Sequence, residues 1–183
     1  ICYDRACERD RTDEDTQEQF NPQDVDLNHR LFRDEGRKST ERRWITIRDI
    51  ADFKVCNETH ENRHFLPGVQ LDKDIRATTD LSEITACDAV LLVMPAQFLR
   101  AVTGEMAALW RAGVPAVICA KGIEQNTGAL LSEIAAQTLP GVTLAVLSGP
   151  TFAVEVAKGL PTAITLASKD ANTVAALSKA IST

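Results

Sequence analysis

The chain predicts an α/β fold: an incomplete doubly wound parallel sheet with helices on both faces, preceded by a polar arm. Three observations carry that reading. From Leu81 onward, short apolar runs alternate regularly with amphipathic stretches. The run Ala89-Val90-Leu91-Leu92-Val93-Met94 is apolar at every position, as a strand covered on both sheet faces must be. Charge is also unevenly placed, with 16 of the 26 acidic residues lying before Phe65, so the two ends of the chain differ in kind.

Residues 1 to 44 form the first expected segment. Runs such as Cys7-Glu8-Arg9-Asp10-Arg11-Thr12-Asp13-Glu14-Asp15 cannot bury enough surface to offset the entropy of ordering, so this arm reads as disordered or weakly helical. Residues 45 to 183 form the second. A helix follows Asp49 and is ended by Asn57 to Asn62, and Phe65-Leu66-Pro67-Gly68 reads as a loop that packs one aromatic ring inward.

The strand at Ala89 to Met94 is stopped by Pro95, and a helix over 96 to 110 places Phe98, Val102, Met106 and Leu109 near one stripe. Ala116 to Ala120 is the next strand, and 127 to 138 the next helix, with Leu130, Leu131 and Ile134 inward. Val142 to Leu147, a short helix from Phe152 to Lys158, a strand from Thr162 to Ala167 and a helix from Asp170 to Ile181 complete the order, the last capped by Asp170 or its neighbour. Right-handed crossovers between such strands give the doubly wound arrangement.

Composition narrows the function classes. A net charge of -6, with no basic cluster free of interleaved acids, argues against a nucleic-acid platform. Cys2, Cys7, Cys56, Cys87 and Cys119 form an odd set without a CxxC pair, so neither a disulfide framework nor a metal site is expected. Reduced thiols point to the cytoplasm. No apolar run approaches the roughly 20 residues of a membrane span. Because Ile1 opens the chain and Met94 and Met106 are the only methionines, a fragment of a longer protein is expected.

Two strand ends attract chemistry. Lys121 follows the strand at Ala116 and precedes Gly122, which puts its ammonium at the carboxyl rim of the sheet, where a phosphate or a substrate oxygen binds; the plainer alternative is a solvated lysine. Ser148-Gly149-Pro150-Thr151 lies on the same rim. There Gly149 allows close approach of the backbone to a ligand, and Thr151 either caps the next helix or meets that ligand. Glu155 and Lys158 are spaced for a helix-surface pair, and His60 and His64 lack the surroundings of a zinc site.

The segments Asn57 to Gly68, Arg76-Ala77-Thr78-Thr79-Asp80-Leu81, Val93-Met94-Pro95-Ala96-Gln97, Ala120-Lys121-Gly122-Ile123-Glu124, Leu147 to Ala153 and Gly159-Leu160-Pro161-Thr162-Ala163, in this order and spacing, resemble the bacterial NAD(P)-dependent glycerol-3-phosphate dehydrogenases. The resemblance runs from about Ile45 to Thr183 and implies a partial NAD(P)-binding, Rossmann-like domain. It implies interconversion of dihydroxyacetone phosphate and sn-glycerol 3-phosphate for glycerophospholipid synthesis, with NAD or NADP as cofactor and a small phosphorylated triose as partner.

By the same resemblance Lys121 contacts both cofactor and substrate, Gly149 and Thr151 contact substrate, Ala153 contacts cofactor, and Arg48 faces the adenosine side of the cofactor. No catalytic residue is assigned, since the family's proton-transferring lysine falls beyond Thr183. Gly36 is the only glycine before Gly68, so the glycine-rich turn of the fold is missing and residues 1 to 44 look unlike the family. Little or no turnover is therefore expected of this chain. The alternative is a non-catalytic phosphate-ligand or partner-binding domain. A sheet lacking its first strand also leaves an open apolar edge, from which self-association is expected.

Overall fold

The computed structural model describes residues 26–27, 43–47, 50–63, 66–85, 87–150, 152, 155–156, 160–161 and 163–181. Strand β1 (Asp26–Leu27) lies antiparallel to β2 (Arg43–Ile47), which runs parallel to β3 (Ile75–Thr78). Helix α1 (Ile50–Thr59) joins β2 to β3, and α2 (Leu81–Thr85) follows. The second sheet holds β4 (Val90–Leu92), β5 (Ala116–Ile118), β6 (Leu144–Ser148) and β7 (Thr165–Ser168), in that order. Between them lie a 3-10 turn (Ala96–Phe98), α3 (Leu99–Ala107) and α4 (Leu131–Thr138), with α5 (Ala171–Ile181) at the end.

Alternation along the strands sorts the core into two layers. Val90 and Leu92 of β4, with Ala116 and Ile118 of β5, face Leu99, Val102 and Met106 of α3 and Ile134 of α4. Leu91, Val93, Val117 and Ala145 face the other way, onto Leu177 of α5. Helices on both faces are thus the direct result of strands that are apolar at every position. A smaller cluster, Cys56, Leu71, Ile75 and Ala77, lies under the first sheet. Asn57 ties α1 to β3 there: its amide nitrogen donates to the Ala77 carbonyl at 2.9 Å, and its amide oxygen accepts from the Ala77 N–H at 2.8 Å.

Several expectations change. The sheet is not one parallel layer: among the described residues the strands form two sheets, and β7 is antiparallel to β6. Where β7 runs back along β6, Gly149 lies against the backbone of Ala163 and Ile164, a close approach that only a residue without a side chain permits. A two-residue strand also lies at Asp26–Leu27, inside the arm read as disordered or weakly helical.

Helix α3 ends at Ala107, which leaves Leu109 45% exposed in the following turn, while Leu99 and Thr103 join the buried stripe in its place. Helix α4 begins at Leu131. Residues 123 to 130 instead close a loop through the Ile123–Leu130 bridge, with Gly128 at φ 68°, so Leu130 is 55% exposed and does not point inward. The cap on α5 is Asp170, whose carboxylate accepts from the N–H groups of Asn172 and Thr173. Phe65 and most of the expected helix from Phe152 to Lys158 lie outside the described residues; Glu155 and Val156 are helical.

Candidate functional site

The parallel strands β4, β5 and β6 end on a common rim, and the loops leaving them carry the candidate residues. At the end of β4 the Leu92 carbonyl accepts from both the Cys119 and the Ala120 N–H, at 3.0 and 3.2 Å, which fixes the exit of β5. Lys121 comes next and is exposed. Its ammonium Nζ donates to the Gly149 carbonyl across the mouth of the rim at 3.1 Å. The loops after β5 and β6, read separately from the sequence as two anion-facing turns, therefore meet at one point.

Gly149 has a packing role at that point. A Cβ there would lie 2.5 Å from the Ala163 carbonyl oxygen and 3.1 Å from the Ile164 Cα, so any side chain would displace backbone. The glycine that was expected to let a ligand approach also lets the backbone of Ala163 and Ile164 approach. Gly122 is constrained differently, with φ at 119° and a Cβ position 3.3 Å from the Ala96 methyl group.

Beyond Gly122 the loop is held by the turn and helix that follow β4. The Gln97 amide reaches it twice: Nε2 donates to the Ile123 carbonyl at 2.9 Å, and Oε1 accepts from the Gln125 N–H at 2.9 Å. Arg100 grips Glu124 as a fork, Nε on Oε1 at 2.7 Å and Nη2 on Oε2 at 2.8 Å, and its Nη1 donates to Gln137 at 2.9 Å. The Thr127 hydroxyl donates to Glu124 as well. The Arg100 hydrogen bonds, with that of Thr127 behind them, hold the Glu124 carboxyl down to about 2, well below its ordinary 4.5.

Glu124 is thereby neutralised by Arg100, and its charge is not available to Lys121. Among the described residues Lys121 makes no ion pair. The rim thus offers an ammonium with one carbonyl partner and access to solvent, suited to an anionic oxygen. Cys119, two residues before Lys121, packs into the layer facing α5, and burial pushes its thiol up to about 12.

Of the residues singled out in the sequence, Lys121 and Gly149 come together, and Arg48, Thr151 and Ala153 lie outside the described residues. Lys158 and His64 also lie outside them, while His60 ends α1 with φ at 51° and its N–H on the Cys56 carbonyl. Sequence reasoning missed Gln97, Arg100 and Glu124 as a set. Gln97 and Arg100 lie three positions apart, but their partners Ile123 and Glu124 lie 26 and 24 positions further on, and the one available signal was Gln97 two residues after a strand-ending proline.

The family model described as NAD-dependent glycerol-3-phosphate dehydrogenase N-terminus matches residues 32–174, and so begins upstream of Ile45. Glycerol-3-phosphate dehydrogenase [NAD(P)+] of Paramagnetospirillum magneticum is 56% identical over 124 residues, covering 68% of this chain and 44% of the relative. That of Rhodospirillum rubrum is 50% identical over 149 residues, covering 81% of this chain and 43% of the relative. The chain thus spans less than half the length of these curated relatives. Among solved structures, glycerol-3-phosphate dehydrogenase from Coxiella burnetii superposes with a TM-score of 0.68 at 28% identity, covering 73% of this chain and 41% of that one.

Proposed function

The chain belongs to the NAD-dependent glycerol-3-phosphate dehydrogenase family, within its N-terminal part, and from that premise we propose that it supplies the cofactor-facing and phosphate-facing rim of an enzyme interconverting sn-glycerol 3-phosphate and dihydroxyacetone phosphate. The single observation supporting this reading is the meeting of Lys121 and Gly149 across the ends of β5 and β6. Ligands of open α/β sheets lie outside the carboxyl ends of the strands, which is where this pair stands.

When bound, NAD or NADP supplies the hydride exchanged with C2 of the triose. In reduction the C2 oxygen gains charge and takes up a proton. The Lys121 ammonium, with no carboxylate paired to it among the described residues, is the group of this rim fitted to an oxyanion or phosphate oxygen. Thr151 is assigned to substrate, Ala153 to cofactor, and Arg48 to the adenosine side of the cofactor. A cytoplasmic setting agrees with the free thiols of Cys87 and Cys119. No described helix is long and apolar enough to cross a membrane.

Self-association belongs to the same proposal. Val90 and Leu92 turn their peptide groups to β5, so those of Leu91 point to the opposite edge of β4, which has no strand beside it among the described residues.

Calorimetry tests the reading. The 183-residue chain is expected to bind glycerol 3-phosphate, and Lys121→Ala to weaken that binding roughly tenfold to a hundredfold, the range of a hydrogen bond to a charged group. Binding that Lys121→Ala leaves untouched overturns the assignment. Binding of glycerol 3-phosphate with no affinity for NADPH or NADH supports a non-catalytic phosphate-ligand domain instead.

A further inference from the structure

The backbone on both sides of Lys121 is fastened to the segment that follows β4. On the near side, the Leu92 carbonyl holds the N–H groups of Cys119 and Ala120. On the far side, Gly122 rests against Ala96, Gln97 bonds the main chain of Ile123 and Gln125, and Arg100 grips Glu124. Lys121 projects from this run of tethered residues with its ammonium on the Gly149 carbonyl.

These tethers differ in kind. The Gln97 bonds are to main-chain groups and fix where the peptides of 123 and 125 sit, whatever side chains they bear. The Arg100 fork fixes both position and rotation of Glu124, since two parallel bonds leave little angular freedom. Gln97 belongs to the 3-10 turn and Arg100 to the first turn of α3, whose Leu99 is fully buried, so both anchors stand on rigid scaffold.

We propose that Gln97 and Arg100 are positioning residues for Lys121: by clamping residues 123 to 125 onto the start of α3, they hold the Lys121 ammonium at the Gly149 carbonyl and so set the geometry of the rim. This rests on the reading of Lys121 as the ligand-facing amine, but its first test needs no ligand. Neither Gln97 nor Arg100 touches the ligand in this scheme. They act through the loop.

Competitive acetylation of the 183-residue chain, read by mass spectrometry, gives the labelling rate of Lys121 relative to exposed Lys179 on α5. Gln97→Ala and Arg100→Ala are each expected to raise that ratio about threefold to tenfold, the loss of roughly one hydrogen bond's worth of restraint. Arg100→Lys, which keeps the charge and loses the fork, is expected to fall between. A ratio unchanged in both alanine variants overturns the proposal, as does an equal rise of Lys54 and Lys73 relative to Lys179, which signals general loosening. Should Arg100→Ala fail to fold, the surface variant Gln97→Ala decides alone.

Glycerol 3-phosphate titration of the same variants separates the two readings. A raised labelling ratio with weakened affinity supports both. A raised ratio with unchanged affinity upholds the clamp and removes Lys121 from the ligand site.

Discussion

At the residue scale, Glu124 carries a strong electrostatic perturbation beside the rim. Its carboxyl is depressed from 4.5 to about 2 by Arg100 first and Thr127 second. A carboxylate with a lowered folded value contributes stability that is fully present above the unfolded value and is lost as pH falls through the folded one. The advantage of the native chain over Glu124→Gln is therefore expected at neutral pH, and it should shrink as pH drops from about 4.5 towards 2. Urea melts of both proteins across that range check this. Gly149 shows how a single residue type was legible while its reason was not. A glycine before Pro150 marked a turn in the sequence, yet the atoms that exclude a Cβ belong to Ala163 and Ile164, whose proximity depends on the strand that returns.

At the element scale, Asn57 acts as a two-pronged clip between α1 and β3. Ala77 is buried, so removing the clip strands both its N–H and its carbonyl away from water. Asn57→Ala is expected to cost about 1–3 kcal/mol in urea unfolding, the penalty for leaving buried backbone groups unsatisfied. The sequence showed Asn57 as part of a helix-ending segment, and α1 does end at Thr59. Its partner 20 positions later carried no local mark. The same limit explains Leu130: helical spacing placed it inward, but Gly128 and the Ile123–Leu130 bridge delay the start of α4, and a loop closed by non-local contacts has no periodicity to read. By contrast, β4, β5 and the Asp170 cap were legible because continuous apolar runs and a capping carboxylate are local signals.

At the scale of the whole molecule, the described strands fall into two sheets whose order was not deducible from composition. The strands were visible one by one, but which edges meet is decided by long-range pairing. The antiparallel direction of β7 goes with the contact of Gly149 and the Ala163–Ile164 backbone, a pairing across 14 positions that no local pattern announces. The outer edge of β4 is the site at which association is expected. Sedimentation velocity over a concentration series should show the mean mass rising with concentration; a constant monomer mass would show that edge to be capped.

The half-buried Cys119 thiol, packed against the layer that faces α5, is a built-in sentinel. With its thiol pushed up to about 12, it stays protonated through neutral pH, and an alkylating reagent needs the thiolate. Modification at this sulfur would then register the sheet parting from α5 rather than ordinary surface chemistry, and it would do so two residues from the ammonium on which the rim depends.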